Sequence, residues 1–360
     1  MLSGAGNELK SGKIQEKDMK TGLYYFSATG NTARAVESIA TRLRAAGQEV
    51  SLQAVDARTV SPAEIPDLTM IAFPVWSWAA PHFMLDFVRR LPKAGGARAA
   101  VFATCGGFGA QAVPEVTRLL RRRGYDVVCS GEAAYPDNWV LAMDAPTGPE
   151  LESALAKGDE RVAQFAENLL SETSSLYPCA WGHKLWSWPM ALLFRTFGRR
   201  FLGKAFIADE TCTSCERCAK DCPVQAISME GAPSTPRWSA TCAACYRCIN
   251  LCPVQAIQIS VPLLILHLGL NLALTILCLG SIGWIHRNWV TVPGIAGAGI
   301  ATLVAVVLLS IATMLQLSAV DRVFYWFAKR PALRGFFLRN YTHRFGRYRA
   351  PGFHPTQPGI

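Results

Sequence analysis

Short apolar runs alternate with amphipathic stretches over the first 174 residues. The apolar runs have the length of buried strands and lie at about 23–26, 49–55, 68–73, 98–104 and 126–133. The stretches between them carry apolar residues at helical spacing, from Asn31 onwards and at about 81–91, 109–123 and 149–171. Because strands that alternate with helices pack as a parallel sheet covered on both faces, the pattern predicts a doubly wound α/β domain over residues 21–174.

Two long uncharged stretches follow nearer the C-terminus, at residues 261–285 and 290–318. Each exceeds the roughly 20 residues that a helix needs to cross a bilayer. Adjacent uncharged helices of this length are unusual in the core of a soluble protein, so we predict two transmembrane α-helices that form a hairpin. The lipid bilayer is then the first partner that the sequence implies.

The net charge of +10 is unevenly distributed, with the excess in residues 183–204 and after residue 319. Residues 321–349 carry eight lysines and arginines against one acid, whereas the turn between the two apolar stretches has one arginine. Because cytoplasmic loops of membrane proteins are enriched in basic residues, we expect a multi-pass inner-membrane protein with both termini in the cytoplasm and residues 319–360 as a basic cytoplasmic tail. We expect no nucleic-acid partner.

Two further segments flank the α/β domain. Residues 1–20 are polar and lysine-rich without the apolar stretch of a signal sequence, so we expect a disordered N-terminus. Residues 181–206, within a linker over 175–206, combine aromatic and aliphatic residues with five basic residues and no acid. This composition suits a segment on an anionic membrane surface; the alternative is a linker that packs against the α/β domain.

Eight cysteines stand in two similar rows thirty residues apart, CTSCERCAKDCPVQAI at 212–227 and CAACYRCINLCPVQAI at 242–257. Each row has the spacing C-x2-C-x2-C-x3-C-P, which is typical of cysteines that hold cubane iron–sulfur clusters. The alternative is a pair of structural zinc sites, but these use two separated C-x2-C pairs. The phase of all eight cysteines, and the proline that closes each row, favour iron–sulfur clusters.

The segment from about 205 to 260 resembles a bacterial ferredoxin, a small α+β domain that carries two [4Fe–4S] clusters. The resemblance places the domain at 207–260 and implies that each cluster takes three cysteines from one row and the fourth from the other. Cluster 1 would be held by Cys212, Cys215, Cys218 and Cys252. Cluster 2 would be held by Cys242, Cys245, Cys248 and Cys222.

A loop of small polar residues, SATGNT, joins the first predicted strand to the first predicted helix. Backbone N–H groups at a helix start, with hydroxyls from Ser27, Thr29 and Thr32, form a nest for a phosphate group. The loop has neither the lysine of a Walker loop nor the pattern G-x-G-x-x-G, so neither a nucleoside triphosphate nor a dinucleotide is favoured. The alternative is that these residues only cap the helix.

Two later loops offer aromatic and glycine residues at the strand ends, where ligands bind in such sheets. PVWSWAAP contains Trp76 and Trp78, and TCGGFG contains Phe108, so a planar ring could stack between them; they could instead be core aromatics. YPDNWV, at 135–140, follows the fifth strand and could close the pocket. This half of the chain resembles flavodoxin, which implies a flavodoxin-like fold and FMN as cofactor. The candidate FMN-binding residues are Ser27, Thr29, Gly30, Asn31, Thr32, Trp76, Trp78, Thr104, Gly106, Gly107 and Phe108.

Residues 23–260 as a whole resemble the flavodoxin–ferredoxin fusion family. The resemblance implies an electron-transfer protein that relays electrons between FMN and two [4Fe–4S] clusters. With the two predicted transmembrane helices, we expect this protein to be membrane-anchored. Its partners would be redox proteins, with a soluble donor and a membrane-associated acceptor or the reverse. The alternative is a self-contained oxidoreductase that reduces a quinone or another lipid-soluble substrate, for which His82 is the one weak acid–base candidate near the flavin.

Two polar residues, His267 and Asn271, lie one helical turn apart in the first predicted membrane helix. Polar groups inside a membrane are costly and often functional. His267 should lie level with Ser310 and Thr313 of the returning helix. In one interpretation, His267 binds a quinone or lipid headgroup or transfers a proton there. In the other, it makes a hydrogen bond between the two helices.

Overall fold

The computed structural model describes residues 19–178, 180–289 and 295–355. The predicted disordered N-terminus, 1–20, lies almost wholly outside these residues, as does the predicted start of the second membrane helix at 290–294.

Five parallel strands form the sheet of the N-terminal domain, in the order β2-β1-β3-β4-β5. The strands are β1 (Lys20–Tyr25), β2 (Glu49–Ala54), β3 (Leu68–Pro74), β4 (Arg98–Cys105) and β5 (Asp126–Ala134). The helices between and after them are α1 (Asn31–Ala45), α2 (His82–Arg90), α3 (Ala112–Arg122) and α4 (Gly148–Leu170). The order 2-1-3-4-5 is that of the flavodoxin-like doubly wound fold, so the predicted fold class is confirmed.

Alternate residues of the central strands point to opposite faces of the sheet and build two cores. Phe73 packs on the face covered by α2 and α3, and Phe102 on the face covered by α1 and α4. Both side chains are fully buried. Because parallel strands are covered on both faces, β3 and β4 read as continuous apolar runs in the sequence.

The cysteine rows lie in a small α+β domain with a repeated backbone. Its elements are β6 (Phe206–Ala208), α7 (Arg217–Lys220), β7 (Ile227–Glu230), β8 (Thr235–Trp238), α8 (Arg247–Asn250) and β9 (Ile257–Ile259). β6 pairs with β9, and β7 pairs with β8, both antiparallel. The left-handed backbone recurs with the thirty-residue period, at Ser214 and Ala244, Glu216 and Tyr246, and Gln225 and Gln255. The two rows therefore fold alike.

A continuous helical segment joins the two domains. It consists of α5 (Trp181–Leu193), a π-helical turn (Phe194–Gly198) and α6 (Arg199–Ala205). Trp186 of α5 packs against Trp78 of the N-terminal domain, with ring centroids 4.6 Å apart. Trp181 and Leu185 are 76% and 63% exposed. One face of α5 therefore packs on the α/β domain, as expected for a linker that packs against that domain. Another face of α5 exposes large apolar side chains.

Two long apolar helices follow the dicluster domain. They are α9 (Val261–Trp289) and α10 (Ile295–Leu315), which continues through a π-helical turn (Gln316–Val320) into α11 (Asp321–Ala328). Among the described residues, both are long and apolar enough to cross a membrane. The returning helix runs to Ala328, past the predicted end at residue 318, because no glycine or proline interrupts it before Pro331.

The C-terminal segment folds back over both domains. After α12 (Pro331–Phe337) and a 3₁₀ turn (Thr342–Arg344), the chain crosses the dicluster domain to the N-terminal sheet. Arg334 donates a hydrogen bond to the carbonyl of Ala208 (2.6 Å), and the N–H of Ala350 donates to the carbonyl of Thr29 (2.8 Å). We name residues 345–353 the C-terminal strap. Both ends of the helical hairpin therefore lie at the dicluster domain.

Candidate cofactor sites

The SATGNT loop lies at the carboxyl end of β1, where the chain turns into α1. Ser27, Thr29 and Thr32 are buried, although each carries a hydroxyl. Gly30 adopts a left-handed φ of 115°, and its N–H donates to the Ser27 hydroxyl (3.1 Å). The hydroxyls of Thr32 and Thr104 are 2.7 Å apart. The structure therefore brings the predicted phosphate loop together with the start of the predicted TCGGFG loop.

The YPDNWV loop closes over SATGNT from the other side. The Asn138 side-chain amide donates to the Thr29 hydroxyl (2.9 Å), and the Asn31 side-chain amide donates to the carbonyl of Pro136 (2.8 Å). These contacts confirm the prediction that residues 135–140 lie at the pocket. The C-terminal strap adds a hydrogen bond from the Tyr348 hydroxyl to Oδ1 of the Asn31 side chain (2.5 Å).

One pocket of about 430 Å³ is enclosed by these loops at the carboxyl edge of the sheet. Loops after β1, β3, β4 and β5 all contribute to it, as expected for the ligand site of a doubly wound sheet. It is lined by Ser27, Ala28, Thr29, Asn31, Thr32, Pro74, Val75, Trp76, Thr104, Cys105, Gly106, Pro136, Asp137 and Asn138. Hydroxyl and amide donors dominate its polar lining, which fits a phosphate-bearing flavin.

The aromatic residues predicted to stack on a planar ring lie in two different places. Trp76 lines the pocket and packs against Phe26, with ring centroids 5.7 Å apart. Trp78 and Phe108 are 6.5 Å apart and pack against Trp186 of α5. Together with Gly107, they are not among the residues that line this pocket. Trp186 could not be predicted at this site, because it comes from the linker rather than from a strand end.

His82 does not line the flavin pocket. Burial lowers its pKa to about 4, and the charge of Arg199 acts in the same direction. The imidazole is therefore neutral near pH 7 and is not poised as the acid–base group of the alternative function.

All eight predicted cluster ligands line one cavity of about 750 Å³, including its open mouth. The cysteines are Cys212, Cys215, Cys218, Cys222, Cys242, Cys245, Cys248 and Cys252. Among the described residues, no three histidine, cysteine or acidic side chains are placed to hold a single metal ion. The thiols surround a space rather than a point, which suits a cubane cluster and gives no support to the zinc alternative.

The thiols fall into the two predicted sets. Burial raises the pKa of Cys218 to about 12, and the neighbouring thiols that add to this effect are Cys212, Cys252 and Cys215. Burial likewise raises the pKa of Cys248, to which Cys245, Cys242 and Cys222 add. Each set thus combines three thiols of one row with the fourth of the other. Bound iron would hold these cysteines as thiolates.

Buried N–H donors around the cavity also fit a group with acceptor sulfurs. Nε of Arg247 has no hydrogen-bond partner within the described residues, and Nε1 of Trp238 has none apart from the Cys248 thiol; both residues line the cavity. The backbone N–H of Ala226 already donates to the sulfur of Cys222 (3.2 Å). Since buried donors are rarely left unpaired, the unpaired ones are explained by an iron–sulfur cluster that accepts from them.

The two thiol sets differ in their surroundings. Cys215, in set 1, is exposed, whereas Cys242 and Cys245, in set 2, are buried. Cys245 packs with the core of the flavodoxin-like domain, which includes Phe26. On the other side of set 2, Arg199 of α6 donates a hydrogen bond to the carbonyl of Cys242 (2.8 Å).

A buried ionic cluster joins the dicluster domain to the helical hairpin. The Asp321 carboxylate contacts Lys204 Nζ (2.6 Å), Arg237 Nη2 (3.2 Å) and His267 Nε2 (3.2 Å). Gln316 donates to the backbone carbonyl of His267 (2.6 Å). The alternative in which His267 makes a hydrogen bond between helices is confirmed.

The predicted level of His267 in the hairpin is wrong. His267 lies opposite Gln316 and Asp321 instead of Ser310 and Thr313. It is Asn271 that donates a hydrogen bond to the Thr313 hydroxyl (2.8 Å). The prediction assumed that the returning helix ends at residue 318, whereas it continues to Ala328 and shifts the facing residues.

A known protein family matches the part of the chain that contains the cysteine rows. Residues 205–259 match the 4Fe-4S dicluster domain family. A flavodoxin from Streptococcus pneumoniae TIGR4 is 22% identical over 43% of this chain and 99% of its own, with a TM-score of 0.32. Flavodoxin 2 from Bacillus cereus is 22% identical over 41% of this chain and 99% of its own, with a TM-score of 0.31. No curated protein sequence matches the chain.

The strand order of the N-terminal sheet is that of a flavodoxin-like fold, and the cysteine rows match a dicluster family. A 4Fe-4S dicluster domain carries redox-active clusters, which supports a role for the chain in electron transfer. The chain joins a flavodoxin-like domain to a 4Fe-4S dicluster domain.

Proposed function

We propose that this protein is a membrane-anchored electron-transfer protein that relays electrons between FMN and two [4Fe–4S] clusters. The observation that carries the proposal is the place of thiol set 2. On one side of this set, Cys245 packs with Phe26 of the flavodoxin-like core. On the hairpin side, the carbonyl of Cys242 accepts a hydrogen bond from Arg199. A relay needs its carriers in contact, and this arrangement supplies that contact within one chain.

The contacts support an order of carriers. The backbone N–H of Ala57, beyond β2, donates to the carbonyl of Pro223 (2.8 Å), which follows Cys222 of set 2. Among the described residues, no thiol of set 1 belongs to the flavodoxin-like core, and set 1 reaches the surface at Cys215. The proposed order is therefore the flavin, cluster 2, cluster 1 and a soluble redox partner that docks near Cys215.

The protein's own residues hold the carriers and exclude water. Bound flavin exchanges one or two electrons, and each cluster exchanges one. Thr29 and Asn31 hold the phosphate loop through Asn138 and Tyr348. The apolar lining of the cysteine cavity, with Phe206 and Ile257, keeps water from the clusters.

Three observations support attachment to a membrane. The hairpin helices are long and apolar, and their outer surfaces expose side chains such as Ile276 and Leu303. α5 exposes large apolar side chains, and its helical segment continues into α6, which packs on α9. The basic residues after Asp321 favour a cytoplasmic location for both cofactor domains.

The second function, direct reduction of a quinone, is less well supported. His267 is fully buried and engaged by Asp321 and Gln316. An imidazole held in this way serves the structure of the hairpin, so we place the membrane-associated redox partner in a separate molecule.

The relay order can be tested by reducing the flavin selectively with light and a sacrificial donor, without oxygen, in the full-length protein in detergent. Electron arrival at the clusters is followed by electron paramagnetic resonance. We expect Cys248→Ser, which damages cluster 2, to slow the reduction of cluster 1 at least tenfold. Cys278→Ser, a thiol of the hairpin, is the control. Reduction of cluster 1 at the normal rate in Cys248→Ser would contradict the order.

A further inference from the structure

Arg217 and Arg247 occupy the same position in the two cysteine rows, directly before the third cysteine. Four residues later the rows differ, with Asp221 in the first and Leu251 in the second. Residues four apart face each other on a helix, so the first arginine has an acidic partner in its own row and the second has none there. Because of this difference, the effects of an arginine that is paired within its row and one that is not can be compared within one domain.

The two arginines differ accordingly in the structure. Nε of Arg217 lies 3.6 Å from the Asp221 carboxylate, and its side chain is 44% exposed. Nε of Arg247 is buried without a hydrogen-bond partner, and the guanidinium lies 5.7 Å from the centre of the Phe26 ring. Arg247 thus holds its charge against the flavodoxin-like domain rather than in water.

Arg247 lies between the two cofactor sites. It lines the cysteine cavity, and it also lines a second cavity of about 450 Å³. This second cavity reaches Phe26 and Ser27 at the start of the phosphate loop, Cys222 of set 2, and Phe353 of the C-terminal strap.

The charge of Arg247 persists in this position. The Asp221 carboxylate and the sulfurs of Cys245 and Cys222 lie near enough to interact with its charge. Because arginine starts from a pKa above about 12, the guanidinium stays protonated near pH 7. It is a fixed positive charge beside cluster 2.

We propose that Arg247 raises the reduction potential of cluster 2 and so keeps that buried cluster accessible to electrons from the flavin. The inference rests on the proposed function. Reduction adds one electron to the cluster, taken from reduced flavin in the neighbouring domain. In a buried site this added negative charge is poorly solvated, and a nearby positive charge stabilises it more than it would in water.

The test compares Arg247→Gln with Arg217→Gln in the full-length protein, purified in detergent without oxygen. Iron, acid-labile sulfide and flavin are measured first, and the cluster potentials are then titrated by electron paramagnetic resonance. We expect Arg247→Gln to disfavour reduction of cluster 2 at least tenfold, a shift of about 59 mV to more negative potential for one electron. The matched Arg217→Gln should shift cluster 1 by less than half as much, because solvent screens an exposed pair. Arg247→Lys, which keeps the charge, should restore most of the potential.

The possible results test the proposed function and the role of Arg247 separately. A wild-type protein without clusters would overturn the proposed function itself. Full iron content with unchanged potential in Arg247→Gln would overturn the role of Arg247 alone. If Arg247→Gln loses iron, Arg247→Met takes its place, since it removes the charge without burying an amide. Loss of iron from both neutral variants would show that Arg247 is needed to hold the cluster, and would overturn the tuning role.

Discussion

Asp321 joins three parts of the chain that are distant in sequence. Its carboxylate contacts Lys204 from the linker, Arg237 from β8 and His267 from the first hairpin helix. The Lys204 and Asp321 side chains are only 6% and 7% exposed. A buried carboxylate with several cationic partners is costly to remove, because its partners remain buried without compensation.

We expect Asp321→Asn to destabilise the cofactor-loaded protein by about 3–5 kcal/mol. The matched control is Asp86→Asn, which breaks the exposed pair with Arg89 and should cost about 0–1 kcal/mol. Thermal unfolding in detergent measures both. Equal, small losses of stability in the two variants would show that Asp321 does not hold the hairpin to the dicluster domain.

The roles of some of these residues could be predicted from the sequence, and those of others could not. The cysteine sets were predictable because eight thiols in a fixed spacing constrain the cluster chemistry. Asp321 had one visible signal, since it is the single acid among the basic residues from 321 to 349. Trp186 and Tyr348 had none, because their contacts depend on how separate segments pack.

At the level of elements, hydrophobic periodicity predicted the α/β domain closely. The five predicted strands match β1 to β5, and the predicted helices match α1 to α4, with differences at the ends. This accuracy has a physical cause, since strands buried on both faces and amphipathic helices carry strong patterns. The end of the returning hairpin helix was harder to predict. Its last turns, from Asp321, carry polar residues, and only their contacts with the dicluster domain explain why the helix continues there.

The C-terminal strap is the element that the sequence identified least well. Its basic composition predicted a cytoplasmic tail but did not indicate that these residues pack on the SATGNT loop. Tyr348 bonds to Asn31, and Ala350 bonds to Thr29. A side chain at Gly30 would collide with Ala350 and Phe353. The strap therefore covers the phosphate loop.

A chain that ends after Arg347 should bind FMN at least tenfold more weakly than the full chain. It loses these contacts with the loop but keeps the hydrogen bonds of Thr342 and Arg347 to Gln258. Each hydrogen bond contributes about 0.5–1.5 kcal/mol, and two or three of them account for the loss. The control ends after His354, and flavin fluorescence measures binding. Equal affinity in the two truncated chains would show that the strap does not hold the flavin site.

The whole molecule is organised around the dicluster domain. Its set 2 thiols meet the flavodoxin-like core, α6 links it to the hairpin, and the C-terminal strap returns across it to the flavin loop. Fusion of this kind places one carrier beside the next at high effective concentration. The sequence predicted the two redox domains and their order along the chain, but the packing of thiol set 2 between the flavodoxin-like core and α6 came from the structure.

The cofactor content of the full-length protein tests the central claim most directly. The protein is purified in detergent without oxygen, and iron, acid-labile sulfide and flavin are measured per chain, with absorption spectra before and after reduction. The account predicts about eight irons, about eight sulfides and about one FMN. Full cluster content with no flavin, even after reconstitution with FMN, would contradict it and would make the N-terminal domain a docking platform.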